Sequence, residues 1–349
     1  MTADTSVAEV VQNYYGRTLE DASDLKTNAC CCNEIIPERH RAILATVDDE
    51  VLDRFYGCGS PVPPDLAGLT VLDLGCGAGR DAFLLSGLVG ERGKVIGVDF
   101  TKAQLDVATR HRDTHAAKLG FARSNVDFRC GAIEDLAALG IADASVDLVV
   151  SNCVINLSDD KERVFSEIRR VLKPGGELFF SDVFVDRRLP AALARDPVLL
   201  GECMGGALYV EDFRRLMQRV GFVDHRVMSR SAITIDDPAI EDLVGNAVFQ
   251  SMKIRAFKLA DLEDICEDYG QVATYLGTIP DHRHRFELDD HHTFFTGKPM
   301  LVCGNTAAMV QNTRYGRHFR VTGDRSVHFG AFDCSGGAPA DAATGACCC

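Results

Sequence analysis

The sequence predicts an α/β fold, a doubly wound and mostly parallel sheet followed by a smaller C-terminal α+β domain. Two observations carry this. Between residues 69 and 228, short apolar runs that read as buried strands alternate with segments of helical periodicity, and such alternation builds a parallel sheet with helices on both faces. From residue 232 onward the pattern changes to short β-rich pieces of the kind found in small antiparallel assemblies.

Taken in order, residues 1–65 are polar and mixed. They carry helical stretches at 8–15 and 37–55, then the turn-rich Gly57-Cys58-Gly59-Ser60-Pro61-Val62-Pro63-Pro64, and read as an N-terminal extension or lid. In 66–230 strands are expected at 70–74, 95–99, 126–129, 146–151 and 177–182, with helices at 80–88, 102–119 and 160–172. In 231–329 the expected strands are 232–235, 248–259, 272–276, 285–288 and 293–295. Residues 330–349 are rich in Ala, Gly and Asp without an apolar period, and read as a flexible tail ending in Cys347-Cys348-Cys349.

A chain of 349 residues with 46% hydrophobic and 25% charged composition can bury one full core and a second smaller one. Its formal net charge of -14 gives no basic face for nucleic acid or an anionic membrane, so a small-molecule partner is expected. No window approaches the ~18 uninterrupted apolar residues of a membrane span, and the start Met1-Thr2-Ala3-Asp4 is no secretory signal. A cytoplasmic monomer is expected. Its 14 cysteines would then be mostly reduced, and a cytosolic cysteine cluster points to catalysis or metal binding before disulfides.

The strongest chemical motif is Val71-Leu72-Asp73-Leu74-Gly75-Cys76-Gly77-Ala78-Gly79-Arg80, between a buried strand and a helix start. Glycines there let the backbone approach a ligand and leave helix N-terminal amides free for polar groups. Gly75, Gly77 and Gly79 form Gly-x-Gly-x-Gly, with Asp73 two positions before. This resembles the S-adenosylmethionine-binding turn of class I methyltransferases, a Rossmann-like fold. The next strand ends in Asp99, whose carboxylate can accept from both hydroxyls of a ribose. Ala132 and Ile133 follow the third strand, where this fold places the adenine pocket, and Asn152 joins the cofactor-binding set at the end of the fourth. The turn 170–177 into the fifth strand is a structural feature of the same fold.

Cys153 follows the apolar run 146–150, where a parallel strand delivers its last residue into a ligand crevice. Cys58 and Cys203 lie in equally unusual glycine-rich settings, and Cys30, Cys31 and Cys32 form a triple run. Several sulfur ligands at one crevice suit a thiophilic ion or metalloid. With the cofactor turn, four segments carry a closer resemblance: Thr27-Asn28-Ala29-Cys30, Tyr56-Gly57-Cys58-Gly59, Ser151-Asn152-Cys153-Val154-Ile155-Asn156-Leu157 and Gly201-Glu202-Cys203-Met204-Gly205-Gly206-Ala207-Leu208-Tyr209. The chain resembles the arsenite S-adenosylmethionine methyltransferases.

The resemblance implies methylation of arsenite and methylarsenite, with Cys30, Cys58, Cys153 and Cys203 as functional thiols. Cys153 and Cys203 would form the persistent arsenic site and Cys58 the third ligand. It also implies a reductive step in which Cys30 and Cys58 pair as a disulfide, reduced by glutathione or thioredoxin. Tyr56 reads either as a cation partner stacked near the sulfonium or as simple packing beside the glycine turn. The chain departs from the family pattern at Cys31 and Cys32, and at the extra thiols Cys76 and Cys130 beside the cofactor.

Cys76, Cys130, Cys266 and Cys303 read as small core hydrophobes, and His282, His284, His291 and His292 as surface polarity, since none follows a zinc spacing. Cys347 to Cys349 read either as a vicinal-thiol trap for arsenite or as a dispensable tail. Two other classes compete: a methyltransferase of another small molecule such as a quinone, which would not need Cys153 and Cys203, and a non-enzymatic thiol protein buffering metalloids or sensing redox state, which would leave Asp73 to Gly79 idle.

Overall fold

A computed structural model describes residues 36–55, 57, 60–235 and 237–334. The expected helix at 8–15 and residues Cys30, Cys31, Cys32, Tyr56, Cys58, Cys347, Cys348 and Cys349 lie outside the described residues.

The expected helix at 37–55 is two shorter ones, α1 (Glu38–Leu44) and α2 (Asp49–Leu52). Asp48 restarts the chain from extended backbone, its side chain accepting from the Glu50 N–H at 3.2 Å as an N-cap. From there strands and helices alternate as β1 (Thr70–Leu74), α3 (Arg80–Val89), β2 (Lys94–Asp99), α4 (Lys102–Lys118), β3 (Val126–Cys130), β4 (Val146–Asn152), α5 (Lys161–Val171) and β5 (Leu172–Val185). After β5 come α6 (Ala191–Ala194), α7 (Pro197–Gly201), β6 (Leu208–Tyr209), α8 (Val210–Arg219), β7 (His225–Ala232), α9 (Pro238–Val244) and β8 (Phe249–Phe257).

These strands form one sheet in the order β3-β2-β1-β4-β5-β8-β7, with β6 on β5. The pairs from β3 to β5 are parallel and those of β8 with β5 and β7 antiparallel. Burial on both faces explains why the central strands read as continuous apolar runs rather than alternating ones: Val71, Leu72 and Leu74 of β1 are all 0% exposed. One core layer packs Val164, Phe165, Ile168 and Val171 of α5 against the sheet, and the other packs Phe83, Leu84 and Leu88 of α3. The expected domain division at 230 falls inside β7, and β8 joins the main sheet rather than the C-terminal domain.

The C-terminal domain has β10 (Gln271–Tyr275) between β13 (Pro299–Val302) and β14 (Phe319–Thr322), all antiparallel. It adds β9 (Glu267–Asp268), the hairpin β11 (Arg285–Glu287) with β12 (Thr293–Phe295), and α10 (Gly304–Gln311). Gly330 and Ala331, expected in the tail, form β15 (Gly330–Ala331), paired with Asp268 and Glu267. A buried charge cluster ties the two bodies: Glu177 of β5 pairs with Arg255 of β8 at 2.5 Å and with Arg314 at 2.5 Å.

Candidate functional site: a glycine-turn crevice and two left-handed cysteines

The crevice lies where β1, β2 and β4 end. The N–H groups of Gly75 and Cys76 both donate to the Val98 carbonyl, at 2.8 and 3.0 Å, hooking the turn onto β2. Gly75 has φ +69, and a Cβ there would lie 2.2 Å from Val154, so this position admits only glycine. Gly77 donates its N–H to Asp99 Oδ2 at 2.9 Å, while Asp99 Oδ1 accepts from the Thr101 N–H at 2.7 Å. Asp99 thus pins the glycine turn and the start of α4 together. Burial raises its pKa and these hydrogen bonds oppose the rise.

Asp73 is 3% exposed, and its Oδ2 has no hydrogen-bond partner. Burial first, then Asp81 and Asp99, pushes its carboxyl well above the usual range. Such an orphaned acceptor fits a cationic ligand, which would return it to the charged form. A cavity of about 280 Å³ opens here. Asp73, Gly75, Gly77, Asp99, Ala132, Ile133, Asn152 and Cys153 line it. Gly79 does not line it: with φ +97 it is the N-cap of α3, packed against Phe128, Ala108 and Phe83.

Sequence reasoning missed a polar chain on the crevice wall. Asn152 Nδ2 donates to Asp81 Oδ2 at 2.9 Å, and Arg80 Nη1 donates to Asp81 Oδ1 at 2.6 Å. The Arg80 guanidinium lies over the Phe55 ring at 3.9 Å. The available signal was Arg80-Asp81 directly after the third glycine.

Cys153 and Cys203 come together. Both have left-handed backbone, at φ +57 and +59, a region β-carbon-bearing residues seldom occupy. The Cys203 thiol donates to the Cys153 carbonyl at 3.5 Å. Cys203 is held by the end of α7, whose N-cap Asp196 accepts from Val198 and Leu199, and by Gly205 N–H donating to Leu199 at 2.7 Å. Asn156 bridges the two loops, donating from Nδ2 to the Val183 carbonyl at 2.6 Å and the Cys203 carbonyl at 3.4 Å. Its own N–H donates to Asp182 Oδ2 at 3.1 Å. A Cβ at Gly206 would fall 1.8 Å from the Asn156 carbonyl, so the Cys203 loop closes on Asn156 only because Gly206 has none.

Burial lifts Asp182 to about 7 against its backbone hydrogen bonds and nearby Lys161. It was another residue the sequence hid. Cys153 is disulfide-bonded, and none of the thiols Cys76, Cys130, Cys203, Cys266, Cys303 and Cys334 is its partner. Cys130, expected in the core, is exposed. His292, expected on the surface, is buried on Asp289, its Nδ1 at 2.8 Å from Oδ1.

Residues 65–221 match the model of a methyltransferase domain, and residues 269–348 that of the arsenite methyltransferase C-terminal domain. An arsenite methyltransferase of Aquipseudomonas alcaligenes is 53% identical over 95% of this chain and 96% of its own length. The chain belongs to the arsenite methyltransferase family. The human arsenite methyltransferase is 41% identical over 91% of this chain and 84% of its own. The crystal structure of an arsenic(III) S-adenosylmethionine methyltransferase from Chlamydomonas reinhardtii superposes with a TM-score of 0.83 at 55% identity, over 86% of this chain and 100% of that one. The sheet order and glycine turn are therefore those of a class I methyltransferase, as expected. Among the described residues no helix is long and apolar enough to cross a membrane.

Proposed function

We propose that this chain methylates trivalent arsenic, arsenite and then methylarsenite, using S-adenosylmethionine, as an arsenic-detoxifying enzyme of the cytoplasm acting as a monomer. The observation that carries this reading is the contact of Cys203 with Cys153 at the rim of the glycine-turn crevice. Asp99 would accept from the ribose hydroxyls, Ala132 and Ile133 would flank the adenine, and Asp73 would face the cationic end. Asn152 and Tyr56 complete the cofactor set. Bound there, the cofactor supplies an electrophilic methyl group on a sulfonium.

The protein's share is positioning. Trivalent arsenic is soft and binds thiolates, and a pyramid of Cys58, Cys153 and Cys203 leaves the arsenic lone pair on the open side. Because the nucleophile loses no proton, no general base is needed, and alignment supplies most of the rate. Methylation withdraws an electron pair from arsenic, and two thiols must return it by forming a disulfide. The bonded state of Cys153 supports its own part in that cycle beside Cys30 and Cys58. Before arsenic enters, glutathione or thioredoxin would deliver two electrons and restore the thiols.

The joint substitution Cys153→Ser/Cys203→Ser tests the reading. Calorimetry should find cofactor affinity retained while arsenite methylation is lost. Continued arsenite methylation would overturn the assignment of these two thiols to the arsenic site.

A further inference from the structure

Gly57, at the edge of the N-terminal segment, rests directly on the crevice wall. Arg54, Phe55 and Gly57 line the same cavity as Asp81 and Asn152. A Cβ at Gly57 would fall 2.5 Å from Asn152 Nδ2 and 2.8 Å from its Cγ, and closer still to the tip of the Phe55 ring. The backbone of Gly57 lies outside the left-handed region, so close approach alone requires glycine here.

Both neighbours of Gly57 are held in place. The Asn152 amide donates to Asp81 Oδ2 at 2.9 Å, and the Phe55 ring lies against the Arg80 guanidinium at 3.9 Å. Arg80 Nη1 in turn donates to Asp81 Oδ1 at 2.6 Å, so one ion pair fixes both walls of the seat. Both side chains are largely buried, where water screens an ion pair little. Arg80 opens α3 directly after the third glycine of the turn, so the pair belongs to the sheet-anchored body and not to the segment that it holds.

We propose that Arg80 and Asp81 are positioning residues for arsenite: by fixing Phe55 and Asn152 they seat Gly57 on the crevice wall, and the seat sets where the chain presents its third arsenic ligand. This assignment rests on the proposed role of Cys58, the residue after Gly57, as the third sulfur. Arsenite is captured when three As–O bonds give way to three As–S bonds, each hydroxide leaving as water with a thiol proton, and arsenic stays trivalent. Methylarsenite already carries one carbon and completes its pyramid with two sulfurs, those of Cys153 and Cys203 on the same reading. Loosening the seat therefore removes a ligand from arsenite and none from methylarsenite. A pair that served only the cofactor would act on both substrates alike.

The test uses the full-length, reduced chain carrying Arg80→Gln or, separately, Gly57→Ala, which leaves α3 untouched. Arsenite methylation should fall on the order of a hundredfold in each, the cost of a misplacement of about 1 Å, while methylarsenite methylation and calorimetric S-adenosylmethionine affinity are retained. X-ray absorption on arsenite-loaded protein, which needs no turnover, should count three As–S bonds in the parent and two in each variant. Added to Cys58→Ser, neither substitution should lower the count further. Equal losses for the two substrates, or three As–S bonds kept in both variants, would overturn the proposal. A parent that holds arsenite through fewer than three sulfurs would instead overturn the third-ligand reading beneath it, so the two failures are told apart.

Discussion

The thiol of Cys203 donates to the backbone carbonyl of Cys153 at 3.5 Å, and both residues hold the left-handed backbone that glycine would occupy at less cost. Such strain persists where the surroundings over-determine it, and here it brings residues of two different loops into contact. Asn156, Asp182 and Gly206 are those surroundings. The contact between Cys153 and Cys203 is therefore built into the β4 and β5 ends of the sheet rather than added to its surface.

Cys153→Ser or Cys203→Ser should each lower methylation of both arsenite and methylarsenite by about a hundredfold or more, the scale of a misplaced reacting group. Cys30→Ser should spare methylarsenite, which needs two sulfurs, and replacing Cys31 and Cys32 with it exposes the arsenite defect they could otherwise hide. Rates with the two substrates, measured separately, distinguish the steps. Loss of methylarsenite turnover in the Cys30, Cys31 and Cys32 variant would contradict this division.

Asp99→Ala removes the acceptor of the Gly77 and Thr101 N–H groups as well as the proposed ribose ligand. S-Adenosylmethionine binding should weaken by roughly 1.5 to 3 kcal/mol, the range for hydrogen bonds to a charged group. Isothermal titration reads this directly, and unchanged affinity would remove Asp99 from the cofactor site. Arsenic loading should persist in the same variant.

Asp182 stands at about 7 in the folded chain against an ordinary 3.8, so the folded state binds more protons between those values. Its contribution to stability therefore falls as pH rises from about 4 to about 7. Asp182→Asn, a mimic of the protonated form, should gain stability relative to the parent across that window, on the order of a few kcal/mol in all. Urea unfolding of both proteins at several pH values measures the difference. A difference independent of pH would contradict the assignment.

Glu177→Gln should leave Arg255 and Arg314 as buried charges without their carboxylate partner. The expected loss is about 3 to 5 kcal/mol in urea unfolding, because breaking one side of a buried pair costs far more than the pair contributes. A loss below 1 kcal/mol, the scale of exposed pairs, would show that water reaches the cluster.

Much of the crevice was legible in the sequence because its determinants are local. The β1 apolar run, the glycines and Asp99 are all fixed by short-range backbone geometry. Asp182 was not legible, since inside Phe179-Phe180-Ser181-Asp182-Val183-Phe184 nothing shows that its carboxylate holds Asn156. The division at 230 failed because β8 inserts beside β5, a long-range pairing that no local pattern encodes.

The central claim is methyl transfer to trivalent arsenic. The most direct measurement incubates the reduced, full-length chain with arsenite, glutathione and S-adenosylmethionine carrying an isotopically labelled methyl group. Arsenic species are then separated by chromatography with elemental and molecular mass detection. The account predicts labelled methylarsenicals that disappear in Cys153→Ser/Cys203→Ser. Arsenic recovered wholly as arsenite, from protein that binds the cofactor and retains both thiols, would contradict it.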